Sequence, residues 1–204
     1  MSAKSEKKTE KKTQKKKTEK KTQKKGISLF RAKDAVDLMD TDLMSSPEMS
    51  PETQAAFGTN LAAGLGAGAQ TKVLLRQSKE DGGFSLVTLW FKPGYPLPRH
   101  THDVDCLYYV ISGSAIMGNQ TLRAGDGFFV PEDAPYQYNA GPEGVEVLEI
   151  RHGVEHFDMK IPDFRPEVVS AVNQLAQERR NEWEQMLVSP TMAANGANGA
   201  NGAS

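Results

Sequence analysis

Gly94-Tyr-Pro-Leu-Pro-Arg99-His100-Thr-His102-Asp103-Val-Asp105-Cys106-Leu-Tyr108-Tyr-Val-Ile-Ser-Gly113 sets two histidines two residues apart on a segment that reads as extended. Successive side chains of a strand point to opposite faces, so His100 and His102 project to one side and both imidazoles can reach one cation. Without a bulge the same parity carries Cys106 and Tyr108 inward and turns Asp103 and Asp105 away.

On either side of this stretch the pattern is β. Lys72 to Arg76, Phe84 to Lys92, Leu107 to Ser112, Gly127 to Val130, Tyr136 to Asn139 and Val145 to Arg151 are short runs rich in Val, Leu, Phe and Tyr. Turn clusters separate them: Asp81-Gly82-Gly83, Lys92-Pro93-Gly94, Ala124-Gly125-Asp126 and Ala140-Gly141-Pro142. Short strands at this spacing predict an all-β barrel or sandwich. Beyond Pro162 the apolar stripe Val168, Val169, Val172, Leu175 and Ala176 predicts a helix from Pro166 to Leu187, packed on the outside of the barrel or at a dimer contact. Residues 27–70 read as an N-terminal extension, with a short helix from Pro51 to Asn60 and a flexible Gly- and Ala-rich loop from Ala62 to Ala69.

The first stretch resembles the first cupin motif, Gly-x5-His-x-His-x3-Glu-x6-Gly, with Cys106 where the family usually has Glu. The second stretch, Gly125-Asp-Gly-Phe-Phe-Val-Pro131-Glu-Asp-Ala-Pro-Tyr136-Gln-Tyr138-Asn139, is similar to the second motif, with Tyr136 in place of the usual His. The resemblance covers residues 94–139 and implies a single cupin-type β-barrel, or jelly roll, over 71–157, followed by a helical segment over 158–190. It also implies a homodimer paired through sheet faces.

In that family a pocket metal is held by three His and one Glu, so the resemblance makes His100 and His102 ligands of a divalent transition metal, Fe, Zn or Cu. Cys106 as a thiolate would complete a His2Cys set suited to zinc or copper; its alternative is a small buried hydrophobe. Thiol dioxygenases are cupins that also carry Cys at this position, beside iron, although the third motif His is missing here. Tyr136 is the candidate catalytic group, orienting or protonating a substrate as a neutral phenol. His152, His156 and Glu149 are further candidate donors. Arg99, Tyr108 and Tyr138 are candidate pocket residues, Arg99 for an anionic substrate. Trp90, Phe128 and Phe129 are expected to line or cap the pocket. Two function classes stay open: a metal-dependent enzyme acting on a small organic molecule, dioxygenase- or lyase-like, and a non-catalytic small-molecule-binding or sensory cupin. Fold alone narrows this little.

Composition excludes more than it assigns. The formal net charge of -1 hides 12 Lys against 3 Glu in the first 25 residues, where Lys8–Lys16 recurs unchanged as Lys17–Lys25. The remainder carries 13 basic and 23 acidic residues, so a nucleic-acid face on the folded part is not expected and any such partner falls to the tail. That tail (1–26) and the Ala-Asn-Gly end (191–204) should be disordered. One cysteine permits no intrachain disulfide, and no apolar run reaches the roughly 20 residues that span a bilayer, which together predict a cytoplasmic protein.

Overall fold

The structure, a computed structural model, describes residues 26–45, 49–162 and 165–191; the two tails expected to be disordered lie outside the described residues, apart from Gly26 and Thr191. Ten strands among the described residues form one curled sheet: β1 (Val36–Asp37), β2 (Met44–Ser45), β3 (Ala69–Arg76), β4 (Ser85–Phe91), β5 (Pro96–His102), β6 (Cys106–Met117), β7 (Gln120–Arg123), β8 (Gly127–Val130), β9 (Tyr136–Arg151) and β10 (Phe157–Lys160). Two helices accompany them, α1 (Pro51–Ala62) and α2 (Pro166–Gln185).

The sheet curls because its two longest strands serve both halves. The second half of β9 pairs with β4 through Phe91↔Val145 to Ser85↔Arg151, while its first half pairs with β5 through Pro96↔Asn139 to His100↔Tyr136. Along its other edge β9 pairs with β6, and the register jumps where Gly113↔Val145 gives way to Ala115↔Ala140. The Ala140-Gly141-Pro142 cluster, read above as a turn between two strands, is thus a bulge inside one continuous strand. The bend needs glycine. Gly113 has φ +68°, and a Cβ there would lie 2.1 Å from the Gly144 carbonyl oxygen, closer than any carbon can approach.

Alternation along the strands builds the interior. Val87, Leu89 and Phe91 of β4, Cys106, Tyr108 and Val110 of β6, and Val145 and Val147 of β9 are buried. The opposite parity leaves Leu107, Tyr109 and Phe129 about half exposed, so Phe129 does not cap the pocket. Trp90 is also outside, its ring 5.2 Å beneath the Lys92 ammonium rather than in the pocket.

Segment 27–70 supplies edges and a buttress. β1 pairs antiparallel with β3 and β2 pairs parallel with β10, while Leu38 and Leu43 enter the core. Ser50 caps α1, its hydroxyl accepting from the Thr53 amide, with Pro51 in the first turn. The Ala62 to Ala69 stretch is not a flexible loop. It contains a 3-10 turn, Leu65–Gly68, whose Leu65 and Gly68 are buried under α2. A Cβ at Gly68 would lie 2.4 Å from the Tyr95 ring and 2.9 Å from Trp183, so the small residues are there for close packing. Trp183 is fully buried; its indole donates to the Pro93 carbonyl at 3.0 Å, and the Lys92 ammonium donates to the Trp183 carbonyl. The predicted C-terminal helix therefore packs on the outside of the barrel. No helix among the described residues is long and apolar enough to cross a membrane.

Candidate functional site

The two motifs meet inside the barrel. β5 and the start of β9 pair directly at His100↔Tyr136, and β6 lies beyond β9, which brings His100, His102, Tyr108 and Tyr136 to one wall. His100 and His102 are about 5 % exposed, and their ring centres are 5.0 Å apart. Each imidazole is fixed from behind: Nδ1 of His100 meets the Pro98 carbonyl at 2.7 Å and Nδ1 of His102 meets the Asp158 carbonyl at 3.0 Å. A carbonyl only accepts, so in both rings Nδ1 carries the hydrogen and Nε2 is the lone-pair nitrogen.

That tautomer orders the neighbouring hydroxyls. Nε2 of His100 lies 2.7 Å from the Tyr136 hydroxyl, which therefore donates to it. The Tyr136 oxygen in turn accepts from the Tyr108 hydroxyl. A directed chain runs Tyr108 to Tyr136 to His100 to Pro98. Burial holds both imidazoles below their ordinary value, His102 at about 4, where the positive charge of Arg151 adds to the effect. Burial likewise raises both phenols. At neutral pH the wall consists of neutral imidazoles and neutral phenols.

Beside Tyr108, its cross-strand partner Glu149 belongs to an ion pair. Glu149 and Arg151 share inward parity on β9, and the Arg151 Nη1 donates to Glu149 Oε1. Both are buried, Arg151 with no side-chain exposure. Burial would raise the Glu149 carboxyl, but the Arg151 charge and hydrogen bond outweigh it and bring it below the ordinary range, so the pair is ionised. The guanidinium carbon stands 3.5 Å from the centre of the Phe157 ring. Phe128 stacks on Tyr108 at 4.6 Å, and Tyr138 lies deeper, against Phe91 and Phe128.

The remaining sequence candidates fall as follows. Cys106 is inward and buried, but its Sγ faces the Ile150 carbonyl at 3.7 Å. Burial and the Glu149 charge push its thiol up to about 12, so it is a protonated thiol here and not a thiolate donor. Arg99 is exposed on the outer face of β5; it lines an external cleft of about 800 Å³ with Leu97, Gln137, Asn139 and Val168, away from His100 and His102. Tyr136 also lines this cleft. His152 and His156 stay outside, one against Phe84 and the other on the Asp42 carbonyl. Asp103 and Asp105 face away and accept from the Asp158 and Glu132 amides, tying down the flanking segments. Arg151 is the interior residue that the sequence reading missed. Its signal was the inward parity that Glu149 shares with it.

These donors do not fit a divalent ion. Among the described residues no three His, Cys, Asp or Glu side chains converge on one point. Nε2 of His100 is occupied by Tyr136, Glu149 by Arg151, and a fixed guanidinium charge already sits beside the two imidazoles.

No family model matches the sequence, and no curated protein matches it. Solved structures do resemble the fold. An RmlC-like cupin from Shewanella frigidimarina is 22% identical, over 43% of this chain and 78% of its own, with TM-score 0.37. KdgF from a Halomonas species is 22% identical, over 43% and 82%, with TM-score 0.38. The polyketide cyclase RemF from Streptomyces resistomycificus is 17% identical, over 54% and 82%, with TM-score 0.41. The curled, mostly antiparallel sheet, its bend at Gly113 and Gly144, and the meeting of both glycine-bounded motifs at His100 and Tyr136 agree with the cupin-type barrel that the motif resemblance implies.

Proposed function

We propose that the barrel interior binds a small organic molecule and moves a proton on it with its own side chains, a lyase- or isomerase-type reaction. The observation that carries this reading is the directed Tyr108–Tyr136–His100 chain beside a second imidazole, His102, whose Nδ1 donates to the Asp158 carbonyl and whose Nε2 is the lone-pair nitrogen. His102 is the base. Its lowered pKa keeps it unprotonated and ready to accept at neutral pH, and the ionised Glu149 favours the imidazolium that results. Tyr136 turns its single hydroxyl hydrogen from His100 Nε2 to the substrate oxygen where charge builds, while the Tyr108 hydroxyl goes on donating to the Tyr136 oxygen. Phe128 and Phe157 supply apolar walls that exclude water. A dioxygenase-like reaction would need a metal that the donor set does not suit, so the lyase half of the sequence expectation is the one retained.

The test is solvent exchange. The full chain, dialysed against EDTA, is incubated in D2O with a panel of small keto and hydroxy compounds, and NMR follows deuterium entering C–H positions. Exchange should occur with the wild type and fall at least 100-fold in His102→Gln and Tyr136→Phe. Exchange that needs added Fe, Zn or Cu, together with about one equivalent of metal lost in the His100→Ala/His102→Ala double variant, would overturn the reading in favour of a metal enzyme. Ligand binding with no exchange would assign the barrel to the non-catalytic binding cupins.

A further inference from the structure

Arg151 is only half used by the protein. A guanidinium presents five N–H donors in a rigid plane, and one of its edges, formed by Nε–H and the neighbouring Nη2–H, matches the two oxygens of a carboxylate. Glu149 takes Nη1 and leaves that edge alone. Nε and Nη2 are both buried with no hydrogen-bond partner among the described residues, and so is the Ser85 hydroxyl, which stands directly across the strand pair from Arg151. Leaving donors of a buried cation unmet carries the full cost of taking them out of water. Three unmet donors on facing residues mark a place for acceptor oxygens.

We propose that Arg151 holds the carboxylate of a small organic acid, taken bidentately on its Nε–Nη2 edge, with Ser85 donating to the same group. This rests on reading the interior as a small-molecule site and names what that site recognises. A guanidinium bridges two carboxylates readily, one on each edge, so Glu149 need not be displaced. Phe157 covers one face of the guanidinium, which favours approach along its edge. The acid has to be small and at least partly apolar, because Phe128, Phe157, Tyr108 and Tyr136 close around it. Its carboxylate at Arg151 would bring the adjoining carbons near His102, because the guanidinium and the His102 ring both lie against Phe157. The proton removed would then be one close to the carboxylate.

Isothermal titration calorimetry on the full chain tests this with acetate, butyrate and benzoate, each paired with acetamide, butyramide or benzamide. At least one acid should bind ten or more times tighter than its amide, unaffected by equal chloride. Arg151→Lys keeps the charge, removes the fork, and should weaken that acid at least tenfold. Because Arg151→Met alone would strand Glu149 and could unfold the barrel, the paired variant Glu149→Leu/Arg151→Met is the second arm, and it should abolish the preference for acid over amide. Equal binding of acids and amides by the wild type, as expected if water alone meets the fork, would overturn the proposal, as would wild-type affinity in the paired variant. Either failure leaves the proton-transfer reading to stand or fall on neutral carbonyl compounds. Acid binding without deuterium exchange would remove that reading and keep this one.

Discussion

Acidification should destabilise the fold through His102 in a defined window. The unfolded chain binds a proton on this imidazole near its ordinary value of 6.5, whereas the folded barrel resists until about 4. Above the first value both states are neutral and the group contributes nothing. Between the two the unfolded chain alone takes the proton, so stability falls as pH falls; below the second the loss is complete. At about 1.4 kcal/mol per pH interval of one, the loss amounts to about 3 kcal/mol. Solvent screening does not dilute it, since the ring is only 4 % exposed. His100 acts in the same sense, so the difference between the wild type and His102→Gln isolates one group; the amide of Gln retains a donor for the Asp158 carbonyl. Urea unfolding at several pH values from about 7.5 down to 4.5 measures it. Stopping there keeps Glu149, held below the ordinary carboxylate range, ionised in the fold. The two proteins should converge in stability as pH falls, by roughly 2 to 3 kcal/mol over the series. Parallel curves would refute the argument that burial keeps this imidazole neutral.

Three further outcomes follow from packing and charge. Gly113→Ala should lose more than about 3 kcal/mol in chemical denaturation or fail to fold, because a Cβ meets the Gly144 oxygen, whereas Gly118→Ala, at a similar φ of +59° with nothing within 4 Å, should lose only about 1 kcal/mol. Trp183→Ala should cost about 3–5 kcal/mol and release α2 to proteolysis ahead of the barrel. Deleting residues 1–25 should abolish salt-dependent binding to heparin and leave the thermal midpoint of the barrel unchanged, since that segment carries 12 of the 25 basic residues.

The landmarks legible in the sequence are those that act locally. The His-x-His spacing fixes two side chains on one face of a strand whatever that strand pairs with, and the helix from Pro166 shows its stripe without reference to the barrel. Tyr136 was legible because the motif spacing carried it to His100. What escaped depends on partners distant in sequence. The bulge at residues 141–144 looks like a turn because glycine and proline serve both, and only the bend of β6 at Gly113 decides between them. Residues 62–69 look flexible because small residues suit both loops and close approach; Trp183 makes the difference. β10 was missed because Phe157–Lys160 gains its strand identity from Met159↔His102 and Phe157↔Met44, both outside its own stretch. Arg151 was missed because a charged residue ending a strand ordinarily faces water.

A buried ion pair seldom earns its place through stability. Moving a carboxylate and a guanidinium out of water costs several kcal/mol per ion, and their attraction repays this only when every remaining donor is met. Here two donors of Arg151 are not. Replacing Glu149 by Leu and Arg151 by Met removes both charges and keeps comparable volume among Val87, Tyr108 and Phe157. The double variant should therefore unfold at the same denaturant concentration as the wild type or higher, with a gain of up to about 4 kcal/mol, while Arg151→Met alone should lose about 3–5 kcal/mol because Glu149 is left charged and alone. Equilibrium unfolding of the wild type, the two single variants and the double variant closes the cycle. If the double variant were less stable by more than about 2 kcal/mol, the pair would be structural and its free edge a packing accident. If it is as stable and no longer distinguishes acid from amide, the charges serve a ligand and not the fold.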